Sequence, residues 1–237
     1  MKSTRDTYNA RIAEIDFYFA ALKQLDDKPI QSFGSSVEPV EKFKQDGFLK
    51  ILKANALLMI YNLVESTVIN GVEEIYDKLK SKGATYSTVR KEIQDIWFSY
   101  KFGQVYDQQA HFKSYRNKAL EIVNSIMTGE TIELNRNALP VSGNLDADEI
   151  RKFCNGHGIS FTPDSSCKGG ERLKDVRAKR NELAHGTLSF ADCGRDYTLL
   201  DLNDIKDQTY VFLSGLLDGM KKYYDNEDYL MTGTSQE

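Results

Sequence analysis

The feature that most constrains the fold is a long apolar stretch at residues 48–79. Its apolar residues recur with a period near 3.6 for about nine turns, and near LLMIYNLV they cover almost the whole circumference of the helix. A helix that is apolar on nearly all sides has to be covered by other elements. The stretch therefore predicts the central helix of an all-α bundle.

Shorter periodic segments with capping residues predict the other helices. We expect helices at residues 4–26, 88–102, 104–127, 171–185 and 201–224, a loop at 28–46 and an irregular stretch at 186–199. The short links between the helices favour an up-and-down topology. Residues 129–170 contain Pro140, Gly143 and one short helix, capped by Asp146 with Glu149. We predict a single domain over residues 1–237 in which 129–170 form an insertion or a small subdomain.

The composition indicates a cytoplasmic chain without metal or cofactor. The chain has three cysteines, Cys154, Cys167 and Cys193. Their number is odd, and they are too widely spaced for a metal knuckle or a redox pair. The N-terminal region lacks the apolar core of a signal peptide, and no apolar stretch reaches the roughly 18 residues of a membrane span. No zinc or carboxylate-metal site, nucleophile elbow or phosphate-cradling glycine loop is recognisable.

Charge is distributed unevenly along the chain. The formal net charge of −4 does not suit a general nucleic-acid binder. Residues 168–180 nevertheless carry six basic and two acidic residues, a net +4, whereas residues 201–237 carry eight acidic and three basic, a net −5. A focused positive patch on an acidic chain suits one anionic ligand better than a long duplex. The alternative is that the basic run is only a solvated helix face.

Chemically useful side chains are concentrated in RNELAHG, residues 180–186. On a helical projection, Arg180 falls on the predicted core-facing stripe, whose other members are Leu173, Val176, Leu183 and Ala184. A guanidinium on such a stripe needs an anion or a carboxylate beside it. The expected partner is therefore a bound anion or, for a structural arginine, a carboxylate such as Glu65 or Glu121.

A neighbouring flank of the same helix is polar and basic, and it could meet a substrate or a partner. It consists of Lys174, Arg177, Ala178, Asn181 and His185. His185 is followed by Gly186, the preferred residue just beyond a helix end. The histidine would thus lie at the end of the helix, where its alternative role is that of a simple cap.

The run Arg180-Asn181-x-x-x-His185 on the penultimate long helix resembles the ribonuclease motif of the HEPN superfamily (higher eukaryotes and prokaryotes nucleotide-binding). The strings GNLDADEIRKFCNGHGIS and RLKDVRAKRNELAHGTLSF resemble a prokaryotic HEPN family of defence and conflict systems, and the resemblance covers most of the chain. It implies an up-and-down HEPN-like helical bundle. It also implies a metal-independent endoribonuclease of a toxin or antiviral defence system.

The resemblance also implies roles for the motif residues. Arg180 would bind and stabilise the scissile phosphate, His185 would act as acid or base, and Asn181 would orient its neighbours. On the adjacent flank, Arg177 and Lys174 are the candidate substrate-binding residues. The implied partners are RNA, single-stranded or structured as in tRNA, a second copy in a homodimer, and a cognate antitoxin or second HEPN protein. HEPN proteins paired with nucleotidyltransferases often carry a tyrosine two residues after the histidine, where this chain has Thr187.

The chemistry of RNA cleavage supports a dimer independently. Attack by the 2′-hydroxyl needs a base, an acid and a cation at the pentavalent phosphate. One chain supplies one motif histidine, so a two-fold axis near this helix would bring two His185 and two Arg180 together. We expect 2′,3′-cyclic phosphate and 5′-hydroxyl products. Two alternatives remain: a non-catalytic RNA- or nucleotide-binding module, and an interaction subunit that pairs with a different HEPN protein.

Three other polar positions are predicted to be non-catalytic. Tyr115-Arg116-Asn117 repeats the Arg-Asn pair but carries Glu121 where the histidine would stand. His111 and His157 are expected to be exposed bystanders, with contact of His157 to RNA as a secondary hypothesis.

Overall fold

The computed structural model describes residues 1–27, 45–103, 112–139 and 143–231. These ranges contain eight α-helices: α1 (Lys2–Asp27), α2 (Gln45–Ser81), α3 (Lys91–Gly103), α4 (Phe112–Met127), α5 (Ala147–His157), α6 (Arg172–Ala184), α7 (Phe190–Arg195) and α8 (Leu199–Asp225). Two short 3-10 segments, Arg136–Ala138 and Ser165–Gly170, lie between them. The described residues form no β-strand, only the isolated bridges Thr85–Thr131 and Val89–Leu230. The predicted all-α class is confirmed.

The apolar helix α2 is the centre of the bundle, as its periodicity predicts. It packs against α1, α6, α7 and α8, and residues on all its sides are buried, among them Leu57, Ile60, Val68 and Leu79. By length and composition alone, residues 46–81 would suit a membrane span, and they form the one such helix in the described part of the chain. The prediction that no apolar stretch is long enough for a span is therefore wrong by this criterion. In the structure this helix packs against α1, α6, α7 and α8, which bury part of it.

The two longest neighbours of α2 pair with each other along their length. Helix α1 runs antiparallel to α8, with an ion pair between Arg5 and Asp218 near one end and Lys206 Nζ 3.0 Å from Asp16 Oδ1 near the other. The hydroxyl of Tyr8 donates to the carbonyl of Tyr210 between them. These contacts join residues about two hundred positions apart and close the bundle around α2.

Residues 129–139 and 143–170 pack into the same core as the long helices. Their buried side chains include Ile132, Leu145, Ile150 and Phe153. Helix α5 begins after Asp146, whose carboxylate accepts the backbone N–H groups of Asp148 and Glu149, both at 3.0 Å. The helix ends at Gly158, whose φ of 72° is left-handed. The predicted cap by Asp146 is thus present, but the reciprocal contact of Glu149 in a capping box is not, because Glu149 bonds Lys152. Helix α5 packs beside α3.

The prediction that residues 186–199 are irregular is wrong, because this stretch contains α7. The Ser189 hydroxyl caps this helix by accepting the Asp192 N–H at 3.1 Å. Gly194 lies so close to α2 that a Cβ there would overlap the Lys50 carbonyl. A six-residue helix is too short for a hydrophobic period to be detected. Most of the predicted loop 28–46 and the start of the predicted helix 104–127 lie outside the described residues.

Candidate active site

The motif lies in the last turn of α6, and the helix ends where the sequence predicts. His185 is its C-terminal capping residue, and its backbone N–H donates to the Asn181 carbonyl at 3.0 Å. Gly186 follows with a φ of 69°, a conformation that favours glycine. The chain therefore turns away directly after His185, and the imidazole stands at the tip of the helix.

The burial pattern of α6 agrees with most of the predicted faces. Leu173, Val176 and Leu183 are buried, Arg180 is half-buried, and Ala184 is exposed. The prediction that Ala184 faces the core is wrong, because the buried face of α6 is centred on Val176 and Leu183, and Ala184 lies about 100° around the helix from Leu183. On the predicted flank, Lys174, Ala178 and His185 are exposed, whereas Arg177 and Asn181 are half-buried.

The Arg180 guanidinium lies against an aromatic ring instead of a carboxylate. Its central carbon is 4.9 Å from the centroid of the Tyr61 ring, and Nη1 donates to the side-chain oxygen of Asn181 at 3.0 Å. Within the described ranges it makes no ion pair with Glu65, and Glu121 pairs instead with Lys118. Contact with a ring face compensates part of the lost hydration of a cation. The positive charge of Arg180 therefore remains available to an anion.

Tyr61, on the central helix, connects the motif to residues 143–145. Its hydroxyl donates to the Gly143 carbonyl and accepts the Leu145 N–H at 3.3 Å. Burial raises the pKa of this phenol, so it stays neutral and keeps both hydrogen bonds. Gly143 has a φ of 70°, and a Cβ there would lie 3.4 Å from Arg180 Nη2. The glycine thus lets the backbone pass close to the guanidinium.

Asn181 has a partner at each end of its amide. The oxygen accepts from Arg180, and the nitrogen donates to the side-chain oxygen of Asn144 at 2.7 Å. The amide is therefore held in one orientation. The contribution of Asn144 was not foreseen from the sequence, because only the fold brings residues 37 positions apart together.

The two predicted substrate-binding residues have different surroundings. Arg177 Nη1 lies 2.6 Å from Asp146 Oδ2, and Asp146 is 6% exposed. The same carboxylate caps α5, so this ion pair joins α5 to α6. Lys174 is exposed and forms no ion pair with any residue that the structure describes. Lys174 is thus free to contact a substrate, whereas Arg177 is already engaged.

A cleft of about 640 Å³ opens beside the motif, between α3, α5 and α6. Helix α6 contributes Arg177, Ala178 and Asn181 to its lining, α5 contributes Phe153, and α3 contributes Ile96. Three of the five residues of the predicted functional flank therefore line one cleft.

The prediction that His157 is exposed is wrong. It is 3% exposed, and its Nε2 lies 2.7 Å from the Tyr76 hydroxyl. Nδ1 lies 2.9 Å from the Phe153 carbonyl, which can only accept, so Nδ1 carries the proton and Nε2 accepts from Tyr76. Burial lowers the pKa of His157 to about 4. His157 is buried because it is the last residue of α5 and its side chain is turned toward the core. The other predicted bystander, His111, lies outside the described residues.

The remaining candidates give no second site. Arg116 and Asn117 are exposed on α4. In the described ranges, no group of three or more histidine, cysteine, aspartate or glutamate side chains is arranged to hold a metal ion. All three cysteines are buried and unpaired, and burial raises the pKa of the Cys154 thiol to about 12.

Comparison with known proteins gives one match. The family model described as MAE_28990-like HEPN covers residues 2–229, which include the whole motif helix and all residues lining the cleft. No curated protein and no solved structure matches the chain.

Proposed function

Because the chain belongs to the MAE_28990-like HEPN family, within a nucleotide-binding and ribonuclease superfamily, we propose that it is a metal-independent endoribonuclease. Its catalytic residues in this proposal are Arg180, Asn181 and His185. The observation that carries the proposal is a half-buried Arg180 that no carboxylate among the described residues neutralises, five positions before an exposed histidine.

Arg180 binds the scissile phosphate in this mechanism. Its guanidinium is fixed by the Tyr61 ring and the Asn181 amide, and its other N–H groups form no hydrogen bond with a described residue, so they can bind a ligand. A planar guanidinium can donate two parallel hydrogen bonds to phosphate oxygens. Stabilisation of charge that develops on the pentavalent phosphate is worth the most when the donor is already oriented.

His185 transfers the protons. Its side chain is exposed and forms no hydrogen bond within residues 1–27, 45–103, 112–139 and 143–231. One neutral imidazole takes the proton of the 2′-hydroxyl as its oxygen attacks phosphorus. The protonated imidazole of a second copy gives its proton to the departing 5′-oxygen. The products are a 2′,3′-cyclic phosphate and a 5′-hydroxyl, and no other reactant is consumed.

This scheme requires a homodimer with its axis near the end of α6. Ala184, His185, Gly186 and Thr187 are all exposed there and mostly small, so a second copy can approach closely. The dimer brings two Arg180 and two His185 into one cleft between subunits. The cellular substrate we propose is single-stranded or structured RNA such as tRNA, and the role is that of a toxin or antiviral effector in the cytoplasm.

Purified protein tests the reaction directly. Wild type, Arg180→Ala and His185→Ala are incubated with tRNA and total RNA in excess EDTA, and new 5′-hydroxyl and cyclic phosphate ends are mapped. The matched control is Arg116→Ala, an exposed arginine that also precedes an asparagine. We expect wild type and the control to cleave equally, and the two motif variants to lose at least a hundredfold, about the contribution of acid–base catalysis.

Two outcomes overturn the proposal. Equal cleavage by wild type and both motif variants would place the activity elsewhere. RNA binding without cleavage by wild type would favour the non-catalytic binding module. Expression in bacteria adds the cellular result, where growth arrest with RNA fragmentation is expected for wild type and the Arg116 control, but not for His185→Ala.

A further inference from the structure

The cleft between α3, α5 and α6 adjoins the motif through one shared residue. Asn181 bonds Arg180 with its amide oxygen and also lines the cleft. A nucleotide whose phosphate lies on Arg180 therefore has its base next to the cleft opening. The volume of about 640 Å³ falls in the range of small-molecule sites and exceeds what a single base needs.

The walls of the cleft suit a flat, partly apolar group. Ile96, Leu145 and Phe153 provide apolar surface from three separate segments. Ala178 lines the cleft from α6, and its small side chain leaves the space open. Apolar walls with a few convergent polar groups are typical of sites that hold an aromatic heterocycle.

The charges around the cleft are already paired within the protein. Arg177 pairs with Asp146 at 2.6 Å, and Lys152 pairs with Glu149 at 2.7 Å. His157, at the base of the cleft, is neutral near pH 7 because burial lowers its pKa to about 4. A phosphate is thus directed to Arg180 and a neutral group to the cleft. Asn144 and Asn181 both line the cleft. Asn181 donates one N–H to the Asn144 oxygen, so the Asn144 NH2 group and the second N–H of Asn181 can bind a base.

We propose that this cleft takes the nucleobase of the RNA nucleotide next to the scissile phosphate. The assignment rests on the proposed ribonuclease function and adds a base-binding pocket to it. The pocket selects bases by shape and by the hydrogen bonds that the asparagine amides make with the base edge.

A substitution that fills the pocket tests this assignment without requiring catalysis. Ala178→Phe and the smaller Ala178→Leu are made in the His185→Ala background. Both substitutions leave the core intact, because the side chain of residue 178 is exposed and does not belong to the core. The probes are a fluorescent 2′-O-methyl RNA oligonucleotide, which cannot be cleaved, and an abasic backbone of the same length. The matched control is Ala21→Phe on α1, an exposed alanine that does not line the cleft.

We expect Ala178→Phe to weaken binding of the base-bearing oligonucleotide about tenfold or more. Binding of the abasic backbone and both affinities of the Ala21 control should stay unchanged. Equal affinities with and without the substitution, or an equal loss for both probes, would overturn the assignment. If a free nucleoside monophosphate binds as tightly as the oligonucleotide, the occupant is a free nucleotide and the assignment to RNA also fails. Failure of the ribonuclease reaction alone would leave these binding results intact.

Discussion

The guanidinium of Arg180 lies over the ring of Tyr61, 4.9 Å from its centroid. Tyr61 belongs to the central helix and is 1% exposed. Its hydroxyl also holds residues 143 and 145. The rigid core of the bundle thus positions the arginine of the motif and the loop beside it through one side chain.

The first prediction concerns the Tyr61 hydroxyl. Tyr61→Phe keeps the ring beneath Arg180 but leaves the buried Leu145 N–H without its acceptor. We expect the free energy of unfolding to fall by about 1–3 kcal/mol, measured by urea denaturation. RNA cleavage should also fall, because residues 143–145 lose their anchor beside the motif.

A second tyrosine separates these two effects. Tyr18→Phe likewise removes a hydrogen bond, the partly buried one from the Tyr18 hydroxyl to the Leu52 carbonyl at 2.7 Å, but on the α1 side of α2. It should lower stability and leave cleavage unchanged. An unchanged unfolding curve for Tyr61→Phe would contradict the hydrogen bond between the Leu145 N–H and the Tyr61 hydroxyl.

The second prediction separates the two basic residues of the flank. Arg177→Met removes the cation beside the buried Asp146 carboxylate. Because Asp146 keeps its bonds to α5 and Arg177 is partly exposed, we expect a loss of about 2 kcal/mol of stability. Lys174→Ala should change stability by less than about 0.5 kcal/mol. It should instead reduce the salt dependence of RNA binding by about one phosphate contact.

Denaturation and fluorescence titrations at several salt concentrations measure both quantities. The reverse result would be that Arg177→Met keeps its stability and alters the salt dependence of RNA binding, while Lys174→Ala leaves that salt dependence unchanged. Arg177 would then be the phosphate-binding residue.

The third prediction concerns pH and His157. Its pKa is about 4 in the folded protein against 6.5 for an unperturbed histidine, so between these values the unfolded chain binds a proton that the folded chain does not. Stability therefore falls as pH falls from 6.5 to 4, by about 3 kcal/mol for this group. His157→Gln removes that contribution. Urea denaturation between pH 7 and 4 should show that the free energy of unfolding declines more steeply with falling pH in wild type than in His157→Gln. The same pH dependence in both proteins would contradict a buried, neutral His157.

Periodicity and capping were enough to predict the central helix, the end of α6 and the placement of Arg180 and His185. These features depend on residues within a few turns of one another. The contacts that complete the site could not be predicted in this way. Tyr61, Asn144 and Asp146 reach α6 across more than thirty positions each, and no local pattern specifies such pairs.

Two residues show how local reasoning can be incomplete. Asp146 fits a helix cap in sequence, and it is one, but the same carboxylate also pairs with Arg177. His157, between two glycines, has the local sequence of an exposed turn. It is buried because α5 continues to residue 157 and packs that side of the helix against Tyr76.

In the proposed mechanism, one active site needs His185 from two copies of the chain. Two differently tagged copies, one wild type and one His185→Ala, are co-expressed, and the heterodimer is isolated by sequential affinity steps. A wild-type and Arg116→Ala heterodimer is the control. We predict that the His185→Ala heterodimer cleaves RNA at no more than about one hundredth of the control rate. Half of the control rate, or full activity from a monomer in light scattering, would contradict it.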